Sequence, residues 1–88
     1  MIEEKVKIIN DAGLHTRPAA TIVKLAAKFK SEFFIIKDGI SINGKSIIGV
    51  MTLAAEKGSE VILSFEGDDE VDASKIILDY FNRGFDEL

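Results

Sequence analysis

Three of the chain's four histidine, proline and arginine residues crowd into one tetrapeptide, His15-Thr16-Arg17-Pro18. The 88 residues contain a single histidine and a single proline, and no cysteine. His15 is therefore the obvious nucleophile at neutral pH. It stands where a turn signal, Asn10 to Gly13, gives way to an apolar, helix-like run. Pro18 suits the first turn of that helix, because the N–H groups there lack internal partners and its fixed φ favours entry. The segment "LHTRPAAT" carries no carboxylate, whereas the last helix opens "GDDEVDA", with acids where the helix dipole favours them. The first helix start thus offers unfilled donors and a positive field, and Arg17 adds to both. Such surroundings disfavour the imidazolium, so a neutral ring is expected. A phosphoryl group on that ring would bring negative charge to the same place. Phosphoryl transfer asks mainly for positioning and charge stabilisation. Arg17 can supply paired N–H bonds to phosphate oxygens. The residues alone reach a phosphate-related site and stop there.

Bulk composition bounds the alternatives. Eighty-eight residues make one domain, expected to span 1–88, and 47% hydrophobic with 30% charged residues is ordinary globular composition. Without cysteine there is no disulfide frame, thiol chemistry or thiolate metal site, and one histidine makes a transition-metal cluster improbable. The start "MIEEKVKI" lacks a secretory signal's basic flank and apolar stretch, and no run is long enough to span a bilayer. The expectation is a cytoplasmic protein, without membrane insertion. A net charge of −4 argues against nucleic-acid binding. That charge is uneven: no acid lies between Asp11 and Glu32, while Arg17, Lys24, Lys28 and Lys30 give the segment +4.

The elements that must hold His15 follow from periodicity. "KVKII" alternates as a half-buried first strand. From about His15 to Lys30 the pattern is helical, with Ala19, Ile22, Leu25, Ala26 and Phe29 on one face and Arg17, Ala20, Lys24 and Ala27 on the other. "FFIIKDGISIN" reads as a hairpin turning at Asp38-Gly39. "SIIGVMTLAA" is a short helix opened by Ser46 and closed near Lys57-Gly58. "EVILSFEG" is a fourth strand, and Asp68 or Asp69 caps a last helix whose Leu78, Phe81 and Phe85 share a buried face. The order is βαββαβα. Helices over one face of a partly antiparallel sheet make a two-layer α+β domain.

Residues 39–46, "GISINGKS", match the phosphate-loop pattern G-x-x-x-x-G-K-[ST]. The hairpin turn, the strand-like alternation of Ile40 and Ile42, both expected to be buried, and a chain too short for several βαβ units all tell against a nucleotide site. Ser46 by itself is an N-cap. In the helix that follows, Val50 and Leu53 lie to one side and Ile47, Ile48 and Met51 to another. The second group is either an exposed docking patch or part of a helix buried all round, and periodicity does not choose.

"GLHTRPA" followed by "GKSIIGVMTLAAEKGSEV" resembles HPr, the histidine-containing phosphocarrier family of the phosphoenolpyruvate-dependent sugar phosphotransferase system. The resemblance covers nearly the whole chain and implies an open-faced sandwich: a four-stranded antiparallel sheet covered on one face by three helices. It implies that His15 is phosphorylated at Nδ1 by enzyme I and passes the group to sugar-specific IIA proteins, with Arg17 supporting the phosphate and Pro18 shaping helix entry. No cofactor is implied. Ser46 becomes a site for the ATP-dependent HPr kinase/phosphorylase of many bacteria, which brings in a catabolite-control transcription regulator. Docking falls on Thr16, Arg17, Ala20, Lys24 and Ala27 with Ile47, Ile48 and Met51. Regulatory relatives lack the histidine, so His15 argues for a stoichiometric carrier rather than an enzyme or a purely regulatory module governed by Ser46. A small phosphatase would need a base, and the acid-free stretch from 12 to 31 supplies none. A carrier that must expose His15 to successive partners suggests a monomer.

Overall fold

The computed structural model describes residues 1–88. Its elements are β1 (Ile2–Lys7), α1 (Thr16–Ala26), β2 (Glu32–Lys37), β3 (Ile40–Asn43), α2 (Ile47–Thr52), β4 (Glu60–Glu66) and α3 (Glu70–Asn82), followed by a 3-10 turn at Gly84–Asp86. One sheet runs β1-β4-β2-β3, antiparallel at every pairing. Alternation decides which face is buried. Val6, Phe33, Ile35, Val61, Leu63 and Phe65 point into the core, while Lys5, Lys7, Glu60 and Ser64 point away from it. The helices cover the inner face with Ala19, Ile22 and Ala26 from α1, Val50 from α2, and Ala73, Ile77 and Phe81 from α3. Phe33 and Phe65 are register partners on neighbouring strands, and their rings stack at 4.8 Å. The expected two-layer sandwich and element order are those observed.

The hairpin turns as its sequence predicts: Asp38 and Gly39 both have positive φ, 51° and 80°, as a two-residue type I′ turn requires. The residues that mimic a phosphate loop form this turn, strand β3 and the N-cap of a six-residue helix. A Cβ at Gly44 would lie 2.1 Å from the Phe33 ring, so this glycine is kept by core packing.

Element ends depart from expectation for identifiable reasons. β1 stops at Lys7 because its ladder with β4 ends at Lys7↔Glu60, and Ile8 instead pairs with Gly58 and Ser59 in a turn. α1 ends at Ala26 rather than near Lys30. The amides of Lys28 and Phe29 tighten onto Leu25 and Ala26, and Lys45 Nζ donates to the Phe29 carbonyl at 2.7 Å. Leu25 and Phe29 are half-buried at the core margin. α2 ends at Thr52, well short of Lys57, and Ala54 then takes a left-handed φ of 49°. Phe85 is buried, yet the chain reverses to bury it rather than continuing α3.

Asp69 stands at the N-cap of α3 but does not cap it. Its carboxylate accepts from the amides of Lys30 (2.8 Å) and Ser31 (2.9 Å) and from the Ser31 hydroxyl, tying the end of α1 to the start of α3. The Ser31 hydroxyl and the Lys30 amide are the leading causes that hold the Asp69 carboxyl below the usual aspartate range. A depressed folded-state pKa contributes stability that is present at neutral pH and lost as pH falls. Asp69→Asn is therefore expected to lower Tm at pH 7, with the gap to wild type closing in acid. Thermal unfolding followed by circular dichroism across pH checks this.

Candidate functional site

The site is built on a loop that cannot wander. Ile8 donates to Ser59 and accepts from Gly58, each at 2.8 Å, and Leu14 donates to the Ala55 carbonyl at 2.8 Å. Gly13 fits between these bonds with φ of 72°, and a Cβ there would lie 2.7 Å from the Ala55 oxygen. Both the conformation and the space demand glycine. Asn10, read from sequence as part of a turn, is fully buried, and its Nδ2 donates to the Gly13 carbonyl at 2.8 Å. The chain emerges at His15 as the N-cap of α1, in extended conformation and with no side-chain bond to the helix amides.

Thr16, Arg17 and Pro18 form the first turn, which contains no acid. Ala19 donates to the His15 carbonyl, and the amides of Thr16 and Arg17 find no acceptor within the protein. Pro18 is buried, while Thr16 and Arg17 are exposed. The acid-free, donor-rich start expected from sequence is present, and α3 supplies the contrast with Glu70 and Asp72 in its first turn.

A carboxylate nevertheless reaches the histidine, from the far end of the chain. Glu87 places Oε2 2.7 Å and Oε1 3.0 Å from His15 Nε2, and Asn10 Nδ2 donates to Oε1 at 2.7 Å. An ionised carboxylate only accepts, so Nε2 carries the proton in this pair and Nδ1 presents its lone pair. Nδ1 makes no hydrogen bond to the helix amides. The His15 side chain is 40% exposed and Glu87 21%. Burial pushes the Glu87 carboxyl up, but hydrogen bonds from Asn10 and His15, with the pull of His15 and Arg17 charge, outweigh it and hold the group below the usual glutamate range.

Glu87 and Asn10 are the functional residues that sequence reasoning missed. The absence of acids from 12 to 31 does not make the site acid-free, because folding brings in a residue 72 positions away. Nothing local in "RGFDEL" marks it.

The remaining candidates divide cleanly. Val50 is fully buried and Leu53 nearly so, while Ile47, Ile48 and Met51 are exposed, Ile48 at 74%. The helix buried all round is thereby excluded. Lys24 and Ala27 are exposed and Ala20 half-buried on the adjoining face of α1, which packs beside α2. Ser46 Oγ accepts from the Gly49 amide at 3.2 Å as an exposed N-cap.

A family model described as the PTS HPr component phosphorylation site matches residues 2–83. The phosphocarrier protein HPr of Treponema pallidum (strain Nichols) is 46% identical over 87 residues, 99% of each chain. The crystal structure of HPr-C-His from Thermoanaerobacter tengcongensis superposes with a TM-score of 0.95 at 44% identity, covering 100% of this chain and 99% of that one. This chain belongs to the HPr family, the phosphocarrier proteins of the phosphotransferase system. A third relative, the Bacillus subtilis catabolite repression protein Crh, is 41% identical with a TM-score of 0.77 over 94% of this chain and 95% of its own. Its crystal structure is described as a dimer with a swapped domain. The sequence-based expectation of a monomer therefore gains nothing from the family.

The glycine lock is testable apart from any chemistry. Gly13→Ala forces a side chain into left-handed φ and against the Ala55 carbonyl, and is expected to cost about 1–3 kcal/mol or more. Urea denaturation measures the loss.

Proposed function

We propose that His15 accepts a phosphoryl group on Nδ1 from phosphorylated enzyme I and passes it to sugar-specific IIA proteins, in the cytoplasm, as a stoichiometric carrier. The observation that carries this reading is the half-exposed His15 ring at the start of α1, with Nε2 engaged by Glu87 and the unpaired Thr16 and Arg17 amides in the turn that follows. Arriving phosphate oxygens meet the amides and the positive end of the helix, and Arg17 closes on them from the same turn. Pro18 contributes no amide and holds the entry geometry.

The docking surface of this reading surrounds the histidine. Thr16, Arg17, Lys24, Ala20 and Ala27 present small and basic groups, and Ile47, Ile48 and Met51 continue the surface with apolar ones. An acidic partner with an apolar centre suits it.

Incubation with enzyme I and phosphoenolpyruvate is expected to add one acid-labile phosphoryl group, read by intact-mass spectrometry. His15→Ala abolishes it. Arg17→Ala slows it by about 10- to 100-fold, the worth of one charge-assisted hydrogen bond. An unchanged wild-type mass, under conditions that load a known carrier, defeats the reading.

A regulatory role through Ser46 is favoured by its hydroxyl, exposed at a helix start beside the same apolar patch, and by the likeness to Crh. Phosphate at that position is stabilised by the helix start and adds negative charge to a surface suited to acidic partners. The kinase of this reading is the ATP-dependent HPr kinase/phosphorylase, and its reader a catabolite-control transcription regulator. Ser46→Asp is expected to raise the concentration of enzyme I needed for half-maximal loading of His15 several-fold, without changing the amount finally loaded. Loading kinetics against enzyme I concentration check this.

A further inference from the structure

The end of the chain is shaped with care for a segment that a helix could simply have left free. Gly84, Phe85 and Asp86 take three consecutive left-handed conformations, with φ of 63°, 58° and 60°. Two of these are non-glycine residues, each of which pays in backbone strain. Phe85 offsets it by burying its ring against Phe81, edge-on at 5.0 Å, and against Tyr80 at 5.2 Å. Arg83 bonds Asp86 through Nε at 2.7 Å and also bonds Asp79, bracing the reversal from α3. The product of this turn is the Glu87 carboxylate, delivered to His15 Nε2 and anchored from behind by the buried Asn10. Two segments that share no sequence neighbourhood thus fix one carboxylate against one ring nitrogen.

We propose that Glu87 is a positioning residue for phosphoryl transfer, holding the proton on His15 Nε2 while the Nδ1–phosphorus bond forms and breaks. This rests on the reading of His15 as phosphoryl acceptor. During gain, the Nδ1 lone pair forms a bond to phosphorus and the donor's bond to phosphorus breaks, its electron pair leaving with the donor. No proton has to move. The ring becomes formally cationic, and the Glu87 carboxylate faces the N–H that carries this charge. During loss, the Nδ1–phosphorus pair returns to the ring, which departs as neutral imidazole because Nε2 has kept its proton. Without that proton the leaving group would be an imidazolate, a far poorer one. One carboxylate therefore assists both directions, as a carrier requires. An Asp beside a catalytic histidine acts through the same orientation and charge effects.

The test uses the whole chain and a small donor, phosphoramidate, so that partner docking plays no part. Glu87→Ala is expected to slow loading of His15 about tenfold, in line with loss of a carboxylate that orients a histidine. It is also expected to lengthen the life of the loaded form toward water several-fold. Both rates are followed by ³¹P NMR. Glu87→Gln keeps an acceptor for Nε2–H without the charge and is expected to fall between alanine and wild type. It is also the variant of record should the alanine tail fail to fold, with circular dichroism reporting the fold. A tail of merely structural importance would slow loading and leave the loaded form no longer-lived. If either rate in Glu87→Gln and Glu87→Ala equals that of wild type, the proposal is overturned. Failure of enzyme I to load the wild type, with phosphoramidate still loading it, would instead count against the partner assignment alone.

Discussion

The candidate site of this protein depends on a backbone seam between two loops. Ile8 is bonded to Gly58 and Ser59 and Leu14 to Ala55, so the loop before α1 is fixed at both ends to the loop before β4. The sheet holds both loops, since β1 and β4 pair along their full length. A hydrogen bond in such a seam contributes about 1 kcal/mol net; its greater value here is directional. It fixes the point at which α1 begins, and with it the place where the unpaired amides and the His15 ring meet. Gly13 is the one residue whose lack of a side chain lets the loops approach so closely.

Opposite charges then meet at the same residue. The helix terminus carries the equivalent of about half a positive charge, and Arg17 a full one. Glu87 bonds Nε2 and keeps the proton on that nitrogen, while the helix start and Arg17 favour negative charge beside the same residue. Solvent screens charges at a half-exposed ring, so the ring feels a bias and not a trap.

What was legible in the sequence follows the range of the interactions. Alternation exposed β1 and β4 because each has one face in the core, and Asp38-Gly39 declared the turn between β2 and β3 through the φ values it permits. The burial expected of Ile40 and Ile42 is not found, since β3 is an edge strand with Ile40 exposed and Ile42 half-buried. The acid-free helix start is equally local: six or seven residues determine it. The split of α2 into buried Val50 and exposed Ile47, Ile48 and Met51 needed the structure, since a one-and-a-half-turn helix leaves periodicity too few repeats to decide. Sequence leaves the N-cap of α3 between Asp68 and Asp69; Asp69 holds it but does not cap, because its partners Lys30 and Ser31 arrive from another part of the chain. Glu87 was illegible altogether. Its position follows from three left-handed residues and a buried phenylalanine, and left-handed φ at Phe85 and Asp86 is a conformation their own side chains disfavour.

That disfavoured turn bears on how such a site is arranged. A carboxylate in the first turn of α1 would instead fill the amides that the proposed phosphoryl group would occupy. Bringing the acid from the C-terminal segment, through Asn10, reaches the outer nitrogen and leaves the helix start free. The cost is local strain at Phe85 and Asp86, on the order of 1–3 kcal/mol at each. The aromatic cluster with Tyr80 and Phe81 offsets it inside the common core. The packing of α3 and the geometry around Nε2 are for this reason one problem: a change that loosens Phe85 acts on the imidazole without touching it.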